Sequence, residues 1–155
     1  MYYYDSYYNY VPVQYSTGQQ STEFENPQEI FFRPPVSNGS RVKDPIRPEV
    51  YLVDHGRIRL IVSTAVYHGI FRDWKGLIPV GLQNYPTGPP LREGTFLFKY
   101  KDNPTVYLRD WENGRTQVKR RIVSANAFNR WHFDWNKIKE MPRTTFYLPD
   151  GTDIR

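Results

Sequence analysis

An α+β fold, mainly β and made of two fused repeats, is what the residue order of this 155-residue chain predicts. Three observations lead there. The first is internal recurrence. Val50-Tyr51-Leu52, Gly56-Arg57, Ile61-Val62-Ser63, Tyr67, Asp73-Trp74 and Leu77 return as Val106-Tyr107-Leu108, Gly114-Arg115, Ile122-Val123-Ser124, Phe128, Asp134-Trp135 and Ile138. Self-similarity at such a period marks tandem modules. The second is that the apolar runs are short, β-rich and bounded by Gly, Asp and Asn, the pattern of strands joined by turns. The third is size: each copy alone is too short to bury a generous core, so the two are expected to share one. Aromatic residues make up 17% of the chain and should supply much of the buried area.

Residues 1–35 read as a flexible, tyrosine-rich N-terminal arm. Its opening is dominated by Tyr, Gln, Ser, Asn and Thr, including Tyr2-Tyr3-Tyr4, and has neither the period of a strand nor that of a helix. Ile30-Phe31-Phe32 before Pro34-Pro35 reads as its docking point. Repeat one then spans 36–91 and repeat two 92–155, each a β-hairpin, a short helix and a Gly-Thr/Ser strand.

Within repeat one, Val50-Tyr51-Leu52-Val53 and Arg57-Ile58-Arg59-Leu60-Ile61 are strands around Asp54-His55-Gly56, a tight hairpin turn. Repeat two carries Asn113-Gly114 there, the strongest short-range hairpin signal. Ser63 and Ser124 are N-caps for helices over Thr64 to His68 and Ala125 to Trp131. A turn-and-strand unit appears three times, as Asn38-Gly39-Ser40-Arg41-Val42, Glu93-Gly94-Thr95-Phe96-Leu97 and Asp150-Gly151-Thr152-Asp153-Ile154. The last is expected to cap the array or pair with the first. Spacing between copies grows from 56 residues at Tyr51/Tyr107 to 58 at Gly56/Gly114 and 61 at Ser63/Ser124, which implies two small insertions. Trp111 and Lys119-Arg120-Arg121 fall at them.

The Gly-Thr strand, Val50-Tyr51-Leu52-Val53, Gly56-Arg57-Ile58-Arg59, Ile61-Val62-Ser63, Asp73-Trp74 and Tyr85-Pro86-Thr87-Gly88-Pro89-Pro90-Leu91 resemble a tandem repeat of uncharacterised secreted or surface proteins of bacteria. The resemblance covers about residues 36 to 155. In repeat two Met141 to Tyr147 stands in place of the Pro/Gly segment. The resemblance implies an accessory binding or scaffolding module, found beside cell-wall hydrolase or adhesive domains, and an extracellular or cell-surface location.

Charge and motifs narrow the chemistry. The formal charge is +5, yet the arm holds Asp5, Glu23, Glu25 and Glu29 against Arg33, so the positive excess belongs to the repeats and suits an anionic polymer or surface. No Cys is present, which removes disulfides and thiolate metal sites. His55, His68 and His132 have no metal-ligand spacing, although His132 and Asp134 would share one face of a strand. No nucleophile elbow and no Gly-rich phosphate loop occurs. An acid/base pair of Asp73 and Asp134 is less economical than a shared structural duty, because they recur at matched places. The expectation is therefore a non-enzyme with no cofactor and no metal. No apolar run is long enough for a transmembrane segment, and no signal peptide is visible at Met1.

Binding has the better support. Trp74 and Trp135, with Asp73 and Asp134 beside them and Arg72 or Arg130 near, suit a sugar ring, against the alternative that a repeated Trp anchors the core. Trp111, with no counterpart in repeat one, is the sharper surface candidate, with Arg115 close by. Lys119-Arg120-Arg121 forms a basic patch, either a solvated strand edge or a grip on nucleic acid phosphates. The expected function is a non-catalytic, envelope-associated module that binds a glycan, wall polymer or protein partner. The alternatives are structural self-assembly into a homo-oligomer through the arm and, less favoured, nucleic acid binding.

Overall fold

The computed structural model describes residues 36–155, and the readings made for the arm lie outside them. The described chain runs twice through one sequence of elements: β1 (Arg41–Lys43), β2 (Val50–Asp54), β3 (Arg57–Leu60), α1 (Thr64–Ile70) and β4 (Ile78–Pro79), then β5 (Phe96–Tyr100), β6 (Val106–Asp110), β7 (Val118–Arg121), α2 (Ala125–Arg130) and β8 (Lys139–Met141). Each half forms a four-stranded sheet, ordered β3-β2-β1-β4 and β7-β6-β5-β8. Three strands are antiparallel, and the fourth returns parallel to the first. The architecture is the mainly β, α+β one expected.

Local chemistry accounts for the elements. Asp54 pairs with Arg57, so His55-Gly56 alone makes the β2–β3 turn, with φ of 51° and 70°. Two positive φ values define the type I′ turn, whose twist matches that of the strands. Ser63 Oγ accepts from Val66 N at 3.2 Å and Ser124 Oγ from Ala127 N at 3.0 Å, capping α1 and α2 as expected.

The second hairpin corrects the reading of Asn113-Gly114. Asp110 pairs with Val118, leaving the loop 111–117. Asn113-Gly114 sits inside it, where Gly114 N donates to Trp111 O at 2.7 Å and Asn113 Oδ1 accepts from the amides of Arg115 and Thr116. Matched residues are 56 apart up to Asp54/Asp110 and 61 apart from Arg57/Val118 onward. One loop therefore holds the whole length difference, instead of two insertions. Arg120 then matches Arg59, and Lys119-Arg120-Arg121 belongs to the common strand framework.

The C-terminal segment is also corrected. Gly39 and Gly94 turn the chain into β1 and β5 with φ of 91° and 89°. Asp150–Ile154 is no third copy of that unit: Asp150 bridges Lys119 and Ile154 bridges Ile122 in parallel, as Thr87 bridges Ile58 and Leu91 bridges Ile61. The last residues thus take the place of Thr87–Leu91, the segment that the second copy had seemed to lack.

Side chains alternate across the sheets. The inward set, Leu52, Leu97 and Leu108, joins Val66, Tyr67, Ile70 and Phe71 of the first copy and Phe128, Trp131, Phe133 and Ile154 of the second in one core. Outward residues form two smaller clusters, around Val42, Val53 and Ile58 in one sheet and Phe98, Tyr100 and Leu148 in the other. After the helices the two copies meet directly: Phe71 and Phe133 pair as an antiparallel bridge, with rings stacked at 5.8 Å.

A buried ionic quartet joins the halves. Arg59 donates two bonds of 2.7 Å to Asp110 of the other copy and one of 2.9 Å to Asp54 of its own. Arg120 reciprocates, with bonds of 2.6 and 3.2 Å to Asp54 and one of 3.1 Å to Asp110. Each Nε donates to a matched carbonyl, Arg59 to Pro89 and Arg120 to Thr152. Such reciprocity is the signature of an isologous, approximately twofold contact, here between two parts of one chain. All four side chains are buried, so the bonds must compensate a large desolvation cost.

The quartet carries a pH dependence. Burial alone pushes the Asp54 carboxyl up, but the hydrogen bonds and charges of Arg120 and Arg59 outweigh it and hold the group below the ordinary 3.8. A carboxyl lower in the fold than in the unfolded chain stabilises above the unfolded value, and that contribution disappears as pH falls. Urea midpoints are expected to be flat down to about pH 5 and to fall below pH 3.8. A midpoint unchanged far below that value would contradict the coupling.

Candidate binding site

Trp74 and Trp135 occupy matched positions after α1 and α2, and each lies flat on an aromatic ring of its helix. Trp74 stacks on Tyr67 with centroids 3.7 Å apart and planes 5° apart, and Trp135 stacks on Phe128 at 3.8 Å and 25°. The two residues nevertheless remain 41% and 46% exposed. One face of each indole is covered by the aromatic ring of its helix. They are therefore neither buried core anchors nor free surface residues. Trp135 is fixed further by its Nε1–H, which donates to Asn129 Oδ1 at 2.9 Å. It borders a cleft of about 370 Å³ lined by Thr105, Arg121, Val123, Ser124 and Phe128.

The neighbouring carboxylates are engaged locally. Asp73 Oδ1 accepts from Lys75 N at 2.8 Å, and Asp134 Oδ1 accepts from Asn136 N at 2.9 Å. Both are Asx turns that position the tryptophans, the shared structural duty anticipated for them. His132 does not share a strand face with Asp134. It sits in a turn with φ of 61°, and its Nε2 lies 2.9 Å from Asp73 Oδ1 while Arg72 Nη2 is 3.2 Å from its Nδ1. The bonds from His132 and the Lys75 amide hold Asp73 below the usual carboxylate range. Burial, more than the charges of Arg41 and Arg72, lowers the His132 imidazole despite its Asp73 partner.

Trp111 is no surface ring. It is 8% exposed, with the guanidinium groups of Arg92 and Arg109 at 4.5 and 5.0 Å from its ring and Gly94 against its edge. An insertion expected to be exterior instead packs its tryptophan against two arginines. Arg115 in the same loop is exposed. Nor do the three consecutive cations form a free patch. Arg120 lies in the quartet, Lys119 is buried with Nζ 2.6 Å from Asp150 Oδ1 and 2.9 Å from Leu148 O, and Arg121 is paired with Asp153 at 2.6 Å. All three make intramolecular bonds.

Residues missed by sequence reasoning are Asp54, Asp110 and Arg59 of the quartet, and Arg41 with Tyr67. The recurring acid at the end of Val50-Tyr51-Leu52-Val53-Asp54 and Val106-Tyr107-Leu108-Arg109-Asp110 was the available signal. Among the described residues, no group of three or more His, Asp and Glu side chains is placed to hold a metal ion, and no helix is long and apolar enough to cross a membrane. No protein-family profile, curated protein or solved structure matches the chain.

Proposed function

We propose that this protein is a non-catalytic binding module whose contact rings are Trp74 and Trp135, and that its ligand is a glycan or wall polymer at a bacterial surface. The observation that carries the reading is the matched pair of half-exposed indoles, each held flat on a core ring. A ring fixed by stacking loses little freedom when a sugar face settles on it, so its apolar area converts efficiently into affinity. The cleft beside Trp135 adds the hydroxyl-bearing residues Thr105 and Ser124, groups suited to sugar hydroxyls. The surface location rests on the resemblance of the repeat.

Tryptophan fluorescence tests the proposal. Soluble wall-polymer and glycan fragments are expected to shift the emission of the exposed pair and to protect it from iodide, while Trp111 and Trp131 stay shielded throughout. Trp135→Ala should weaken binding by about tenfold or more, equivalent to about 1.4 kcal/mol, with Trp135→Phe intermediate. Unchanged affinity in a Trp74→Ala/Trp135→Ala double variant would refute the assignment.

A further inference from the structure

A second site stands on other residues. A cleft of about 310 Å³ opens where β1 and the loop after α1 meet the end of α2, lined by Ser40, Arg41, Lys75, Gly76, Arg130 and His132. We propose that it binds a tetrahedral oxyanion, a phosphate or sulfate group.

Arg41 is the main reason. It is 3% exposed, yet among the described residues it makes no ion pair with a carboxylate. Its Nη1 donates to the Tyr67 hydroxyl and to Asp73 O at 2.7 Å, and its Nη2 donates to Lys75 O. These acceptors are all neutral. A guanidinium taken out of water without a counter-charge is costly, and the other arginines this deeply buried among the described residues sit in the quartet with two carboxylates. The same registers make Leu97 the counterpart of Arg41, and the two helices match Tyr67 with Phe128. The second copy therefore shows that an apolar pair satisfies the fold at this place. The Arg41–Tyr67 pair of the first copy is polar where the second copy is apolar.

Two further cations converge on the cleft without partners. Neither Lys75 Nζ nor the Arg130 guanidinium makes an ion pair or hydrogen bond among the described residues. Asp73, the partner of the lining residue His132, already accepts from His132 and the Lys75 amide. Gly76, with φ of 78°, has no side chain over Arg41: an added Cβ would stand 3.5 Å from Nη2 and narrow the approach. One fixed guanidinium at the base and two free cations at the rim give the geometry of charge-assisted oxyanion recognition.

The test is calorimetric titration of the full chain with sodium phosphate and sodium sulfate, ionic strength being held constant with chloride. Saturable binding is expected, and Lys75→Gln and Arg130→Gln, neither of which removes an intramolecular bond, should each weaken it by about tenfold. Lys101→Gln, an exposed cation elsewhere, should leave it unchanged. Arg41→Leu/Tyr67→Phe reproduces the second copy's pair and should abolish binding while the protein stays folded. If that variant fails to fold, the two rim variants still decide the matter. Tighter binding of a sulfated disaccharide than of sulfate would place the group on a saccharide chain, and equal or weaker binding would identify the free ion. Equal responses to phosphate and chloride, or rim variants that bind phosphate like the parent protein, would overturn the site. Because Lys75→Gln and Arg130→Gln change neither Trp74 and Trp135 nor the Tyr67 and Phe128 rings beneath them, loss here and loss of glycan binding are separately measurable.

Discussion

Asp110→Ala is expected to remove about 3–5 kcal/mol of folding stability, the cost of leaving buried charges uncompensated. Asp110 receives both arms of the Arg59 fork at 2.7 Å and a further bond from Arg120 at 3.1 Å. Its Oδ1 also accepts from Trp111 N at 2.7 Å. Removing the carboxylate leaves the two guanidinium groups sharing Asp54, with only Arg120 having a second acid, the partly exposed Glu112 at 3.2 Å. Total stability of a domain is only about 5–15 kcal/mol, so such a loss approaches the unfolding threshold. Arg59→Lys should also fail, since an ammonium cannot reproduce the two parallel bonds to Asp110. The comparison is Asp102→Ala, which breaks an exposed pair with Arg143 and should leave the denaturant midpoint unchanged within error. Equal midpoints for the Asp110 and Asp102 variants would contradict the role given to the quartet.

Gly39→Ala is expected to be the most damaging of the glycine substitutions, by about 2–4 kcal/mol, because two penalties coincide there. Its φ of 91° is a region that L side chains rarely adopt. A Cβ at this place would also lie 2.8 Å from two atoms of the Trp131 indole. That indole is buried in the shared core, and its Nε1–H donates to Arg155 O at 3.0 Å, so it has little room to shift. Gly56→Ala isolates the first penalty: φ is 70°, but nothing lies within 4 Å of the added methyl. It should cost about 1–2 kcal/mol. Denaturant titration of the two variants separates them, and a Gly56 loss as large as the Gly39 loss would refute the packing argument.

How far the sequence was legible follows the range of the interactions. The His55-Gly56 turn, the Ser63 and Ser124 caps and the Asx turns at Asp73 and Asp134 depend on atoms within three residues of one another, and they appear where local chemistry puts them. The recurrence was legible too, but aligning Gly56-Arg57 with Gly114-Arg115 set the strands out of step and hid the match of Arg59 with Arg120. With one loop holding all the extra residues, the match is plain, and so is the Arg41-for-Leu97 difference. Trp111 was misplaced because its cover, Arg92 and Arg109, comes from other segments brought together only by folding. A run of three cations likewise gave no hint that one of them points into a quartet completed from the other copy.

Two copies that close one core are expected to unfold together. Indole N–H resonances offer a reporter in each copy without substitution, Trp74 in the first and Trp131 and Trp135 in the second. Followed through a urea titration by two-dimensional nitrogen–proton NMR, they are expected to lose intensity with a single shared midpoint and slope. A Trp74 transition clearly separated from that of Trp131 and Trp135 would show two independent folding units and contradict the shared core.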